Sequence, residues 1–264
     1  MQATILDLPS VPNLRDVGGH PTAGGGTVRV GRLFRSSDLS RLDERDAAVL
    51  ARVGIRAVYD LRSDFERTHQ PDRPLPGAES VALDVLSGSP DLRPAELVRS
   101  LSQPGRAAEI LGDGRAAELW RSQYRELVSL ESARAGYRRV FLGLLDERRR
   151  PALVHCTTGK DRTGWAVAAL LRFLGVDEGL VMDDYLVSGR LLAGELQPAL
   201  ERFRSEGGDP ELLRPIVETR REYLEAAFDE VGRAFGSIDA YVADGLGLDT
   251  AERSALWETF VRAG

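Results

Sequence analysis

The only cysteine and the only lysine of this 264-residue chain lie four positions apart, in His155-Cys156-Thr157-Thr158-Gly159-Lys160-Asp161-Arg162-Thr163-Gly164. A thiol is a nucleophile, and a guanidinium offers a planar fork that matches two oxygens of a phosphate. The apolar run Ala152 to Val154 precedes them and reads as a buried strand. From Thr163 onward Val167, Leu170, Leu171 and Leu174 recur at helical spacing on one face. Strand, tight loop and helix together point several backbone N–H groups at one spot, where the helix terminus adds partial positive charge. Such a spot holds an anion and would stabilise negative charge on the sulfur of Cys156. Thr157, Thr158, Gly159 and Lys160 are the expected phosphate-binding positions, with Cys156, Asp161 and Arg162 as the catalytic ones.

Two plainer readings compete. A lone cysteine is commonly a small buried hydrophobe. The Gly159-Lys160 pair also suggests a nucleotide-binding P-loop. That pattern needs a glycine where Val154 stands and Ser or Thr where Asp161 stands, so it fails.

Cys-x5-Arg followed by Thr-Gly, with the preceding His and the glycine at 159, resembles the loop of the cysteine-dependent phosphatases. Further pieces extend the likeness: NLRDVGG from Asn13, GRLFRSSDLSRLD from Gly31, GIRAVYDLRS from Gly54 and DDYLVS from Asp183. In order and spacing these resemble the atypical bacterial tyrosine phosphatases that also accept phosphoinositides. The resemblance implies an α/β, phosphotyrosine phosphatase-like fold, with a central, mainly parallel sheet flanked by helices and a helical lid over the active site. It implies one domain over 1–264, with a lid insertion at about 90–130 and a helical C-terminal part at about 189–264. The implied reaction is phosphomonoester hydrolysis through a phosphocysteine, acting on phosphotyrosine and, more broadly, on phosphoserine, phosphothreonine or phosphoinositides. The substrate is then a phosphorylated protein or phosphoinositide, and inorganic phosphate is the product. Lys160 adds positive charge, as in phosphoinositide phosphatases. Three alternatives stay open: an enzyme mainly for phosphoinositides, an inactive phosphate-binding module, and a sulfurtransferase.

The general acid has three candidates. Asp161 adjoins Arg162, and myotubularin-type lipid phosphatases, which the loop resembles there, are proposed to use an Asp at that place. Asp84 and Asp91 lie in the loop after the third strand, where related phosphatases carry their acid. Arg15, Asp16, Arg35, Asp60 and Arg62 read equally well as buried salt bridges fixing loops.

The rest of the chain must position this loop. A helix is expected over 43–53, between Asp43 as cap and Gly54 as stop. Strands are expected at 55–61 and 79–83, and a hairpin or edge strand over 27–34. Residues 95–130 read as helical, broken near Pro104-Gly105 and Gly112-Asp113-Gly114. A clear amphipathic helix covers 132–145. Beyond the catalytic helix, 175–188, 189–204, 211–235, 237–242 and 250–262 read as helices. A net charge of −6 and the lack of a basic block exclude a nucleic-acid partner. No apolar run is long enough to span a bilayer. One cysteine and scattered histidines imply no disulfide and no metal, and no cofactor is expected. Residues 1–10 lack signal-peptide character, so the expected compartment is the cytoplasm, or the outside by export without a signal peptide.

Overall fold

Leu33, Phe34, Val58, Leu153 and Val154 are almost wholly buried, because the strands that carry them are covered on both faces. The computed structural model describes residues 4–89 and 104–264. Its main sheet has the order β1-β3-β6-β4-β5: β1 (Arg15–Asp16), β3 (Leu33–Ser36), β6 (Ala152–His155), β4 (Ala57–Asp60) and β5 (Glu79–Ala82). β3, β6, β4 and β5 run parallel, and only β1 is antiparallel. The register aligns Ser36 with His155 and Asp60 with His155, so the strands end together. Everything that follows those ends gathers at one edge, the edge where open parallel sheets bind ligands.

Local sequence explains the main helices. α1 (Glu44–Val53) is capped by the Asp43 side chain, which accepts from Asp46 N–H, and stops at Gly54, whose φ of 78° favours glycine. α2 (Asp64–His69) starts on a capping box in which Ser63 and Glu66 satisfy each other's N–H groups. α3 (Pro104–Leu111) and α4 (Arg115–Ser129) follow, then α5 (Glu131–Gly143). α6 (Arg162–Phe173) carries Trp165, Val167, Leu170 and Leu171, all nearly inaccessible. Each such large side chain contributes about 1.5–3 kcal/mol by leaving water. The loop in front of α6 therefore stands on a rigid base. The mixed α/β architecture and the mainly parallel sheet are as expected. Among the described residues, no helix is long and apolar enough to cross a membrane.

Several elements differ from the expectation. Gly105, where a break was expected, lies inside α3. The helical stretches 175–188 and 189–204 do run on as expected, as one helix, α7 (Glu178–Ser205), with Pro198 inside it. The helix expected over 211–235 is divided into a 3-10 turn (Pro210–Leu212), α8 (Arg214–Val217) and α9 (Arg221–Phe235). Neither Gly nor Pro marks the gap at 218–220; tertiary contacts with the loop, described below, fix it. The last helix, α10 (Thr250–Phe260), gives way to β7 (Val261–Arg262). β7 pairs antiparallel with β2 (Thr27–Val28), so of the hairpin or edge strand expected over 27–34 the first part is an edge strand paired with the C-terminal segment, and the last part is inner strand β3. Asp91 and the part of the expected lid before 104 lie outside the described residues.

Candidate active site

Cys156 follows the last residue of β6 and is only 1% exposed. The loop after it is shaped by its carbonyls. Asp38 N–H donates to Thr157 O (3.1 Å). Asn13 Nδ2 donates to Thr158 O (3.0 Å) and Gly159 O (3.1 Å). Arg35 Nη2 also donates to Gly159 O (2.7 Å). Three successive carbonyls are thus drawn outward by the N-terminal third of the chain. Turning the carbonyls out leaves the N–H groups facing the other way. Among the described residues, no acceptor takes a main-chain N–H from Thr157 to Gly164. Asp161 sits at the N-cap of α6 but makes no side-chain cap bond. The helix's first donors thus remain open to an anion.

Gly159 is required twice over. Its φ is +66°, and a Cβ there would stand 2.0 Å from Ser36 O. The loop presses against the end of β3 at that point, and only hydrogen fits.

Arg35 is held in turn by a buried network. Arg15 Nε and Arg35 Nη1 both bind the Asp184 carboxylate of α7, at 2.9 and 2.8 Å. Arg15 Nη2 adds Asp184 O (3.0 Å) and Ser188 Oγ (3.1 Å). Burial alone would raise Asp184, but the two guanidinium charges outweigh it and hold the carboxyl well below its usual range. Burial and the neighbouring Arg15 cation bring Arg35 down to about 10.

Arg162 is 9% exposed, and its fork is met by Glu66 of α2: Nη1–Oε2 is 2.6 Å and Nη2–Oε1 is 2.7 Å. The Thr157 hydroxyl also donates to Glu66 and accepts from Arg162 Nη2 (3.2 Å). Burial of Glu66 would raise its pKa; Arg162, Thr157 and the Ser63 N–H together hold it well below the normal carboxylate range. Arg162 keeps N–H groups beyond those used by Glu66 and Thr157, at Nε and Nη1, for another oxygen ligand.

Asp161 and Lys160 both reach toward covering helices. Tyr124 Oη of α4 donates to Asp161 Oδ1 (2.8 Å) and lies 2.7 Å from Tyr185 Oη of α7. Lys160 Nζ donates to Ile216 O (2.7 Å) and Glu218 O (3.0 Å), at the end of α8. Its ammonium is 3.6 Å from Asp161 and almost wholly buried. Burial draws the lysine pKa down, against the opposing pull of Asp161. Asp84, the rival acid, receives Leu86 N–H (3.0 Å) and Asp64 N–H (3.3 Å) and so caps local backbone.

Behind the cysteine, His155 Nε2 lies 3.1 Å from Asp72, and Arg62 binds both Asp60 and Asp72 at 2.8 and 2.9 Å. Burial lowers the His155 pKa, but Asp72 and Asp60 outweigh it and raise the net value. The ligand atoms of Asp60, Asp72 and His155 come within 4.8 Å of one another. The cation between the two carboxylates is the Arg62 guanidinium. Arg15, Arg35, Asp60 and Arg62 are therefore in buried ion pairs. Asp16 instead receives the N–H groups of Gly18 (2.7 Å) and Gly31 (2.6 Å).

The structure thus brings Cys156, Thr157, Thr158, Gly159, Lys160, Asp161 and Arg162 into one loop around one N–H-lined spot. Sequence reasoning missed Glu66 and Tyr124. Ser63-x-x-Glu66 directly after a strand was the available signal for Glu66; nothing local marks Tyr124.

A family model described as "Tyrosine phosphatase family" matches residues 6–262. A Cupriavidus necator protein named "Putative tyrosine-protein phosphatase" is 34% identical over 94% of this chain and 86% of its own length. The triple specificity protein phosphatase PtpB of Mycobacterium tuberculosis is 32% identical over 94% of this chain and 97% of its own length.

Proposed function

This chain belongs to the tyrosine phosphatase family, and from that premise we propose that the loop from Cys156 to Arg162 is where it hydrolyses phosphotyrosine in proteins. The observation that carries the assignment is the set of three outward-held carbonyls at 157, 158 and 159, which leaves a ring of N–H donors beside Cys156. In the proposed reaction the Cys156 sulfur attacks phosphorus in line, and the bond to the leaving oxygen breaks. The N–H groups and Arg162 hold the three equatorial oxygens, whose charge grows in the transition state. Asp161 gives its proton to the leaving oxygen, then takes one from the water that attacks the phosphocysteine. Inorganic phosphate departs and the thiolate returns.

Glu66 keeps the Arg162 fork in one orientation. Tyr124 keeps Asp161 turned toward α4 rather than toward the helix end. A broader specificity, including phosphoserine, phosphothreonine and phosphoinositides, is a second reading. It is favoured by the name of the mycobacterial relative.

The test is Cys156→Ser. It should fold, still bind vanadate and lose essentially all turnover of an aryl phosphate, because a hydroxyl without a base is a poor nucleophile. Turnover within tenfold of the parent would sink the phosphocysteine assignment. A panel of phosphotyrosine, phosphoserine and phosphothreonine peptides beside mono- and bisphosphorylated inositides separates the two specificity readings.

A further inference from the structure

The sheet edge opposite the cysteine carries arginines that the reaction does not use. Arg32 precedes β3 and Arg150 precedes β6, and Ala152 N–H donates to Arg32 O (3.0 Å). Four-residue strands rise about 3.3 Å per residue, which places this edge on the order of 10–15 Å from the loop. Arg29 follows β2, and its own N–H donates to Phe260 O (2.6 Å). Arg262 lies in the paired strand β7.

Arg29, Arg32 and Arg262 line one depression of about 310 Å³, together with Gly19, Thr27, Val28 and Val30; no acidic residue lines it. That volume is at the small end of ligand pockets. A second depression of about 310 Å³ adjoins it across Arg29 and Arg32 and adds Arg150, with Glu147 and Glu258 on its wall. Among the described residues, the guanidinium groups of Arg29, Arg32 and Arg262 have no hydrogen bond or ion pair. Elsewhere in this acidic chain the buried guanidinium groups of Arg15, Arg35, Arg62 and Arg162 are each matched to a carboxylate.

Two further facts point to a ligand. The Nε atoms of Arg29 and Arg150 are buried without an acceptor, and a buried donor in that state costs free energy that an anion would recover. Arg150 is 7% exposed, and its Nη1 is fixed on Leu144 O (2.6 Å). The backbone beneath is also fixed: a Cβ on Gly18 would meet Arg29 O at 2.4 Å. Arg29, Arg32 and Arg262 thus face the same depression.

We propose that Arg29, Arg32 and Arg262 form a second anion site, remote from the catalytic loop, that takes a phosphate-bearing ligand. Planar guanidinium forks suit phosphate oxygens. The phosphate could belong to a soluble phosphorylated molecule or to a lipid headgroup.

The test uses pyrophosphate as probe, by equilibrium dialysis against the full chain at low ionic strength. Wild type should bind two per chain. Arg162→Ala should retain the remote site, and Arg29→Ala/Arg32→Ala should retain the catalytic one. The double variant should turn over an aryl phosphate at the wild-type rate, which also shows that it folds. If it does not fold, Arg29→Lys/Arg32→Lys should fold and bind the second pyrophosphate at least tenfold more weakly, because a lysine lacks the fork. Co-sedimentation with phosphatidylcholine vesicles, with and without phosphatidic acid, separates the sources. Pull-down by the acidic vesicles, abolished in the double variant, assigns a lipid headgroup; two-site dialysis without pull-down assigns a soluble ligand. One pyrophosphate per chain, lost entirely in Arg162→Ala, overturns the proposal. So does a second site that is unchanged in the arginine variants.

Discussion

At the scale of single residues, Glu66 and Asp161 give the sharpest tests. Glu66 meets Arg162 across a separation of 96 residues. Replacing it with Gln keeps the shape and removes the charge that orients the fork. A charged hydrogen bond of this kind contributes about 1.5–3 kcal/mol, or roughly ten- to a hundredfold. If the orientation matters in the transition state, kcat of Glu66→Gln should fall by that factor while KM for an aryl phosphate changes little. A rise in KM with unchanged kcat would instead assign Glu66 to ground-state binding. For the acid, Asp161→Asn should slow alkyl phosphates, whose leaving oxygen needs a proton, and spare activated aryl esters. Asp84→Asn and Asp91→Asn serve as comparisons. Equal slowing of both ester types by Asp161→Asn, with selective loss in one of the other two, would move the assignment. Cys156, Gly159 and Arg162 were legible in the sequence because their chemistry depends on spacing within one loop. Glu66 and Tyr124 were not, because their roles exist only once distant segments meet; Tyr124 reaches Asp161 from 37 positions away.

At the scale of elements, the same distinction explains where helices and strands departed from expectation. α1 carries its own cap, and β4, β5 and β6 carry their own apolar patterns, so local sequence was enough; the short helix α2 went unread although Ser63 and Glu66 form its capping box. The gap between α8 and α9 has no local breaker. It places the Ile216 and Glu218 carbonyls on the Lys160 ammonium, an interaction written in neither segment alone. Lys160→Met should therefore leave two carbonyls without their donor, at a cost of about 1–3 kcal/mol each where they stay dry. The expected result is a lower melting temperature and faster tryptic cleavage after Arg220 or Arg221. Phosphotyrosine and phosphoinositide turnover should then suffer alike. A loss confined to phosphoinositides, with no change in proteolysis, would return Lys160 to the role of a second-phosphate reader. Gly159→Ala belongs to this scale too. Its φ and its 2.0 Å approach to Ser36 O leave no room for a methyl group. The loop must shift away from β3, and activity should fall further than stability does.

At the scale of the whole molecule, the Arg15–Asp184–Arg35 network ties the N-terminal third, the central sheet and α7 to the back of the catalytic loop. Its pH dependence has a definite sign. Asp184 and Glu66 are depressed in the folded state. Their contribution to stability is therefore fully present above the unfolded carboxylate range, near pH 4, and is lost as pH falls through it toward the folded values. His155 is raised. Its contribution is complete below the unfolded histidine value, near 6.5, and is lost as pH rises through the folded one. Stability should thus fall on the acid side below about pH 4 and on the other side above about 6.5. Asp184→Asn isolates one part of this. At neutral pH it leaves two buried guanidinium groups without their shared carboxylate, and removing one partner of a buried pair costs about 3–5 kcal/mol. Below the unfolded carboxylate value the unfolded wild-type chain takes up the proton that the folded one refuses, so the advantage of the wild type shrinks and the gap should narrow. Urea unfolding of both from pH 7 to pH 3 measures the gap directly. A gap that narrows below pH 4 locates the charge of Asp184 as its source. A gap that stays constant across the range would mean that the Asn variant is destabilised by packing, and that the network is not held by charge.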